Sequence, residues 1–312
     1  MVQALEYALD CSALCPGCQE INGNMPDFIV LGAVKAGTTS LYHYLGQHPQ
    51  IIMSRMNWPR YFHIENGEPD FRTRQQRYGN ALLEESIGRY RMMCNRRIPR
   101  TWDAYQAQWP SPQTGVMHGE VSPTYLHDPA VAPGILRRLP KVKLLMVLRN
   151  PVERAYSHYV MDFREGWERE MDFGKVLSAE ASRIDDFWWG ARHNLRHGLY
   201  SQRVAEYLQL FPRDQIKILL HDDYKASAQN FLRNIFEFLG VDPDAEIDVT
   251  GRHNVGVVRF RTKDAASGQE KRIEAAPPSL PDQLRRELQD FFRHDILRLQ
   301  QLIGKDLSSW MQ

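Results

Sequence analysis

The sequence has no continuous run of about 18 apolar residues, little cysteine and almost no excess of charge. Without such a run, no segment is expected to span a membrane. Only 4 of the 312 residues are cysteine, too few for a disulfide framework, so we expect reduced thiols and a cytoplasmic location. Lysine and arginine number 39 against 38 for aspartate and glutamate. A net charge of +1 therefore gives no reason to expect nucleic acid or an anionic membrane as a partner.

The N-terminal segment, residues 1–24, is interpreted as a leader or linker that ends in a turn-rich Asn-Gly-Asn break. It lacks a basic start followed by an apolar stretch, so no secretory signal is expected. A C-x3-C-x2-C cluster lies in this segment without a fourth metal ligand nearby, so we expect no metal there. Its members are Cys11, Cys15 and Cys18. Residues 25–312 are expected to form one domain.

Short apolar runs alternate with helical patterns along the rest of the chain. Buried strands are predicted at 27–32, 116–121, 143–148 and 215–220. Helices are predicted from residue 39 and at 129–139, 152–164, 201–211, 227–239 and 282–303. The stretch 251–276 is expected to be basic and irregular. This alternation predicts an α/β fold in which helices flank a central parallel sheet.

A glycine-containing loop joins the first predicted strand to the first helix and reads Gly-Ala-Val-Lys-Ala-Gly-Thr-Thr-Ser over residues 32–40. Backbone amides of such a loop, together with a helix N-terminus, bind anions. The candidate ligand-binding residues are Lys35, Ala36, Gly37, Thr38, Thr39 and Ser40. In nucleotide triphosphatases the lysine follows the second glycine and precedes a magnesium-binding Ser or Thr, whereas here it precedes that glycine. The alternative is a tight turn with a surface lysine.

A second candidate anion site follows the strand at 143–148. Arg149 stands at its carboxyl end and Ser157 lies eight residues later in the next helix. Open α/β sheets bind ligands at the carboxyl ends of their strands. A guanidinium and a hydroxyl are suited to a terminal phosphate, so the two motifs together predict one nucleotide site.

These motifs resemble those of the sulfotransferases that use 3′-phosphoadenosine 5′-phosphosulfate. The loop at 32–41 is similar to their 5′-phosphosulfate loop, and Arg149 and Ser157 match their 3′-phosphate pair at the same spacing. Further similar stretches are 118–126, 196–200 and 292–310. The resemblance extends over about residues 26–310 and is closest to the heparan-sulfate and bacterial branch. It implies a single P-loop-like domain.

The resemblance also implies how the donor nucleotide is held. Lys35 would neutralise charge on the sulfuryl group and its bridging oxygen. Tyr200, Arg252 and Arg259 are further candidates for nucleotide binding, the two arginines lying on a basic segment that closes over the 3′-phosphate in the family. A solvated charged loop is the alternative for that segment. No metal is expected, because a sulfuryl group carries less negative charge than a phosphoryl group.

The general base departs from the family pattern. The family usually carries a glutamate in a Lys-Glu-x-x-Phe-Phe stretch, and Trp58 stands at its position in this chain. The replacement candidates are Glu120, His63 and His118, with Glu120 first because we expect it to face the cleft. The alternative for Glu120 is a structural carboxylate.

The sequence therefore predicts an enzyme that transfers a sulfuryl group to a hydroxyl or amine. A P-loop nucleotide kinase and a non-catalytic nucleotide-binding relative remain as alternatives. The expected acceptor is a glycan or a β-hydroxyacyl chain on an acyl carrier, and nothing in the residues separates the two. An aromatic segment at 185–190 is either a flap over the acceptor or buried packing.

Overall fold

The computed structural model describes residues 24–65, 98–164, 168, 170–180, 193–251, 258–263, 270–275 and 279–312. The strands are β1 (Phe28–Gly32), β2 (Ile51–Met53), β3 (Met117–Val121), β4 (Lys143–Leu148), β5 (Ile216–Leu220), β6 (Val258–Lys263) and β7 (Glu270–Ala275). The helices are α1 (Thr38–Leu45), α2 (Tyr61–Glu65), α3 (Trp102–Gln106), α4 (Val131–Arg138), α5 (Pro151–Arg164), α6 (Phe173–Glu180), α7 (Ser201–Leu210), α8 (His221–Ala226), α9 (Ala228–Leu239) and α10 (Asp282–Ile303).

A five-stranded sheet with the order β2-β3-β1-β4-β5 forms the centre of the molecule. Every neighbouring pair in it is parallel, which confirms the predicted fold class. All five residues of β1 are buried, as expected of a strand covered on both faces. The four predicted strands are present, whereas β2 is an additional edge strand of three residues. Since the strands run parallel, the loops after β1, β3, β4 and β5 meet at one edge.

The flanking helices follow the predicted apolar spacing. Helix α9 buries Phe231, Leu232, Ile235, Phe236 and Leu239, which recur at helical spacing and form one face. The Ser227 side chain caps its first turn by accepting a hydrogen bond from the Asn230 amide. Its predicted terminal glycine, Gly240, has a φ of 82°, a left-handed conformation in which glycine is favoured.

The predicted irregular stretch at 251–276 contains an antiparallel pair, β6 and β7. Val258-Arg-Phe-Arg-Thr-Lys alternates apolar or β-branched residues with cations, the period-2 pattern of a strand. The prediction of irregular structure is therefore wrong for these two segments. Among the helices of the described ranges, none is both long and apolar enough to cross a membrane.

Candidate active site

The loop between β1 and α1 is a sharp turn that requires glycine at both of its ends. A Cβ on Gly32 would lie 2.7 Å from the carbonyl oxygen of Pro123, so the loop after β3 presses directly against this glycine. The Ala33 amide donates to the carbonyl oxygen of Val147 on β4 at 2.7 Å. Gly37 precedes α1 with a φ of 84°, which favours glycine. The loop is thus fixed between the ends of β3 and β4.

The first turn of α1 faces the edge of the sheet where these loops meet. Helical N–H groups of the first turn have no acceptor within the helix, and here they belong to Thr38, Thr39 and Ser40. The cap residue, Gly37, has no side chain to satisfy them. Lys35 is half-buried in the same loop. One loop therefore carries free backbone amides, hydroxyls and a lysine, the residue types of an anion site, and anion binding there stays a prediction.

Arg149 joins the second motif to this loop. Its Nη1 donates to the carbonyl oxygen of Lys35 at 2.9 Å, and its Nη2 lies 3.9 Å from Oε2 of Glu153. Burial lowers the pKa of Arg149 against the opposing charge of Glu153. Its buried Nε has no hydrogen-bond partner among the described residues. An oxyanion beside that nitrogen would satisfy it and offset the burial of the cation.

Two further predicted residues lie next to Arg149. Ser157 is half-buried on α5, one helical turn beyond Glu153 and therefore on the same face. Tyr200 is buried, and its hydroxyl donates to the backbone carbonyl of Arg149 at 3.0 Å. This hydrogen bond fixes the backbone of Arg149. A contact of Tyr200 with a nucleotide stays a prediction.

His221, which the sequence reasoning missed, lies beside the loop. It follows β5, and its Cδ2 is 3.4 Å from where a Cβ on Gly37 would stand. Burial, helped by the charges of Arg149 and Lys225, lowers its pKa to about 4. Its buried Nδ1 has no hydrogen-bond partner in the described part of the chain. Its position at the carboxyl end of a strand, like that of Arg149, is the signal that identifies it.

Glu120 does not face the cleft, so this expectation is wrong. The residue is 0% exposed because it lies inside β3, opposite Ile29 of β1, and the ring of Tyr105 on α3 closes over it. Its Oε1 accepts from the Ser122 hydroxyl at 2.6 Å, and its Oε2 accepts from the Tyr105 hydroxyl. Burial raises its pKa to about 6. Its role as a general base stays a prediction, and the burial favours a structural one.

His63 lies on α2 and contacts two side chains from the segment that follows β3. Its Nδ1 lies 2.8 Å from Oδ2 of Asp128, and its Nε2 lies 2.8 Å from the hydroxyl oxygen of Thr124. That hydroxyl oxygen also accepts from the indole Nε1 of Trp58 at 3.3 Å. The residue at the family's glutamate position is therefore connected to His63 through one hydroxyl.

Of the remaining predicted residues, His118 lies away from this cluster, Arg259 lies on a strand that contacts α5, and the others fall outside the described residues. His118 is buried near the amino end of β3, where its ring stacks on Trp109 at 6.3 Å, on the opposite side from the loop. Arg259 belongs to β6, whose backbone pairs Arg259 with Glu274 of β7. Arg252, the aromatic segment 185–190 and the four cysteines lie outside the described residues.

Residues 26–246 match the model of the sulfotransferase family. The chain belongs to that family. This sulfotransferase is 29% identical to a sulfotransferase from Alicyclobacillus acidocaldarius whose crystal structure superimposes with a TM-score of 0.74, over 92% of this chain and 99% of that one. The predicted family and the predicted P-loop-like fold are thereby confirmed.

Curated relatives of this sulfotransferase are more distant. Carbohydrate sulfotransferase 15 of Mus musculus is 23% identical over 92% of this chain and 54% of its own length. The bifunctional heparan sulfate N-deacetylase/N-sulfotransferase 2 of Homo sapiens is 24% identical over 92% of this chain and 31% of its own. The chain therefore spans about half the length, or less, of these relatives.

Proposed function

We propose that this protein transfers a sulfuryl group from 3′-phosphoadenosine 5′-phosphosulfate to a hydroxyl or amine and releases adenosine 3′,5′-bisphosphate. The observation that carries the proposal is the hydrogen bond from Arg149 to the carbonyl oxygen of Lys35. It unites the two anion sites that this donor requires, one for each end of the nucleotide. Family membership supports the same donor.

The described residues fit the donor at both ends. The amides of Thr38 to Ser40 and the ammonium of Lys35 would hold the phosphosulfate. The open Nε of Arg149 and the hydroxyl of Ser157 would bind the 3′-phosphate. No magnesium is assigned a role, because the loop lacks a Ser or Thr after its lysine. Arg252 and Arg259 remain proposed contacts on the sequence resemblance alone.

In the proposed reaction the acceptor oxygen attacks sulfur in line with the bond to the 5′-phosphate. Positioning and charge stabilisation supply most of the catalysis in such displacements. Lys35 would neutralise the charge that develops on the leaving phosphate. Glu120 is assigned a positioning role: its partner Ser122 also accepts a hydrogen bond from the Arg60 amide, which fixes the loop that carries Trp58.

We propose a carbohydrate as the acceptor. The names of the relatives, a carbohydrate sulfotransferase and a heparan sulfate N-sulfotransferase, support this class. A β-hydroxyacyl chain on an acyl carrier is the second candidate, from the sequence resemblance. The leader at 1–24, the domain at 25–312 and the cytoplasmic location are likewise proposals from sequence alone.

The test is transfer of labelled sulfate from the donor nucleotide to a panel of glycans and carrier-bound hydroxyacyl chains. We expect product with at least one glycan, formed about 10²- to 10³-fold more slowly by the Lys35→Ala variant. Melting separates the alternatives: adenosine 3′,5′-bisphosphate without magnesium should raise the midpoint by mass action. If ATP together with magnesium raised the midpoint and adenosine 3′,5′-bisphosphate did not, the kinase would be favoured instead. Nucleotide binding without transfer to any acceptor would favour the non-catalytic relative.

A further inference from the structure

A chain of three hydrogen-bonded side chains lies at the edge of the sheet that carries the donor loop, the name used below for residues 32–40, to which the proposed function assigns the donor. Asp128, directly after the turn at Tyr125–His127, contacts Nδ1 of His63 at 2.8 Å. Nε2 of His63 contacts the hydroxyl of Thr124 at 2.8 Å. His63 and Thr124 are 6% and 4% exposed, so burial holds the geometry. A nucleophile or hydroxyl, a base and an orienting carboxylate in contact have the organisation of a proton-accepting triad.

The hydrogen bonds set the direction in which a proton can move. Burial alone would raise the pKa of Asp128, but the hydrogen bond from His63 and the amide of Ala130 lower it. An ionised carboxylate only accepts hydrogen bonds, so Nδ1 of His63 carries the hydrogen. Nε2 of His63 then accepts from the Thr124 hydroxyl. The Thr124 oxygen in turn accepts a hydrogen bond from the indole Nε1 of Trp58.

Thr124 follows a residue that packs against the loop between β1 and α1. The carbonyl oxygen of the preceding residue, Pro123, abuts Gly32 at the start of the donor loop. The Ser122 amide donates to the carbonyl oxygen of Val30 on β1 at 3.0 Å. The triad therefore stands at the carboxyl ends of β1 and β3, at the edge of the sheet that also carries the loop of Lys35.

We propose that Thr124 and His63, oriented by Asp128, form the proton relay that replaces the missing glutamate; this rests on the proposed function. The acceptor oxygen forms the bond to sulfur as the bond from sulfur to the 5′-phosphate oxygen breaks. The acceptor proton passes to Thr124 Oγ while the Thr124 proton passes to Nε2 of His63. The electron pair of the broken bond stays on the phosphate beside Lys35, and the imidazolium later releases its proton to solvent.

Trp58 has a defined place in this relay. Its indole N–H donates to Thr124 Oγ at 3.3 Å, so it occupies the position from which an acceptor hydroxyl would donate. Trp58 is half-buried, and its ring lies 5.5 Å from the guanidinium carbon of Arg60. In the proposed reaction the acceptor hydroxyl takes the position of this indole N–H and donates to Thr124 Oγ in its stead. Glu120 offers no such site, because both its oxygens already accept hydrogen bonds in the interior.

The kinetic experiment compares His63→Gln, Thr124→Val and Asp128→Asn with Glu120→Gln. We expect the saturated rate to fall by about 10² or more for His63→Gln and Thr124→Val, the usual scale for general-base catalysis. Thr124→Ser should restore turnover because it restores the hydroxyl. The affinity for adenosine 3′,5′-bisphosphate should stay within about threefold in all of them. His294→Gln, an exposed histidine on α10, is the matched control without an expected effect.

A pH profile separates a relay from a merely structural contact. The groups around the His63–Asp128 pair are His127 and Arg203. The pH profile of His63→Gln should differ in shape from that of the wild type, whereas loss of a structural contact would lower the rate equally at every pH. Unchanged turnover in His63→Gln or Thr124→Val would overturn the relay. A large loss confined to Glu120→Gln would transfer the role to Glu120.

A measurement without turnover tests the same geometry independently of the proposed function. In ¹⁵N-histidine-labelled protein, His63 should show the tautomer with hydrogen on Nδ1, and Asp128→Asn should change its signals. A hydrogen on Nε2 in the neutral ring would overturn the relay even if wild-type transfer is found. Conversely, the expected tautomer with no transfer to any acceptor would refute the proposed function while leaving the hydrogen-bond chain intact.

Discussion

The guanidinium of Arg149 and the backbone carbonyl of Lys35 are joined by a hydrogen bond of 2.9 Å. The arginine that follows β4 therefore holds the loop that follows β1. A bound nucleotide would draw on both motifs at once, since any movement of Arg149 toward a 3′-phosphate is transmitted to Lys35. Ser157 makes no such hydrogen bond to the loop in the described residues, so its loss should weaken nucleotide binding without displacing Lys35.

Arg149→Ala and Ser157→Ala should both weaken donor binding more than they lower the saturated rate. We expect about 10- to 100-fold weaker binding for Arg149→Ala, the scale of hydrogen bonds to charged groups, and less for Ser157→Ala. Calorimetry with adenosine 3′,5′-bisphosphate and adenosine 5′-phosphate checks this. Each variant should discriminate less between the two ligands than the wild type. Equal discrimination would remove these residues from the 3′-phosphate site.

Lys35→Ala should lower the saturated rate by about 10²- to 10³-fold, because it removes a charge placed at the reacting centre. The melting temperature should barely change, since the side chain is only half-buried. Lys35→Arg is the matched variant, because it retains the charge, and it should keep more activity than Lys35→Ala. Turnover of Lys35→Ala within about threefold of wild type would show that Lys35 does not contact the sulfuryl group.

Glu120→Gln should change how stability depends on pH. Burial raises the pKa of Glu120 from its ordinary value of 4.5 to about 6, so the folded state retains a proton that the unfolded state loses. The stability contributed by the protonated carboxyl is present below pH 4.5 and is lost as the pH rises through about 6. The loss amounts to about 2 kcal/mol.

Urea unfolding of the two proteins between pH 4.5 and 7 measures this effect as a difference, so that other titrating groups cancel. Relative to the wild type, the free energy of unfolding of Glu120→Gln should increase as the pH rises from 4.5 to about 6. Above that pH the difference between the two proteins should stay constant. A constant difference at every pH would mean that Glu120 titrates with an ordinary pKa.

Binding of adenosine 3′,5′-bisphosphate should draw a proton onto His221. The pKa of this histidine in the free protein is lowered to about 4, so the ring is neutral at pH 5.5. Phosphate groups beside it would favour the imidazolium and raise its pKa. Calorimetry at pH 5.5 in buffers of different ionisation enthalpy should therefore reveal proton uptake in the wild type and less in His221→Gln. Identical uptake in both would place His221 away from the phosphates.

The strands and the glycine-containing loop after β1 were predictable from sequence because their signals are local. Continuous apolar runs identified β1, β3, β4 and β5, and the loop after β1 carries its own glycines and hydroxyls. The edge strand β2 has only three residues, too few for a periodic pattern. The β6 segment carries an alternating pattern that its cations obscured, whereas β7 begins with three consecutive charged residues and shows no such pattern.

The proton-accepting residues were less predictable because their environment is tertiary. Whether Glu120 faces the cleft or the interior depends on Tyr105 of α3, which no local pattern relates to it. The contact between His63 and Asp128 joins residues 65 positions apart. Sequence reasoning named His63 as a candidate, but its orienting carboxylate and Thr124 emerged only when β3 and α2 were brought together.

The strand order also has a consequence for how the protein folds. Among the strands of the described residues, β1, which precedes the loop of Lys35, pairs only with strands made much later, since its partners begin at Met117 and Lys143. During synthesis the donor loop must therefore wait, with its apolar strand exposed, until β4 has left the ribosome. Pairings of such high sequence separation are slow to form. The nascent chain would be most prone to aggregate in that interval, and the donor site would form late and all at once.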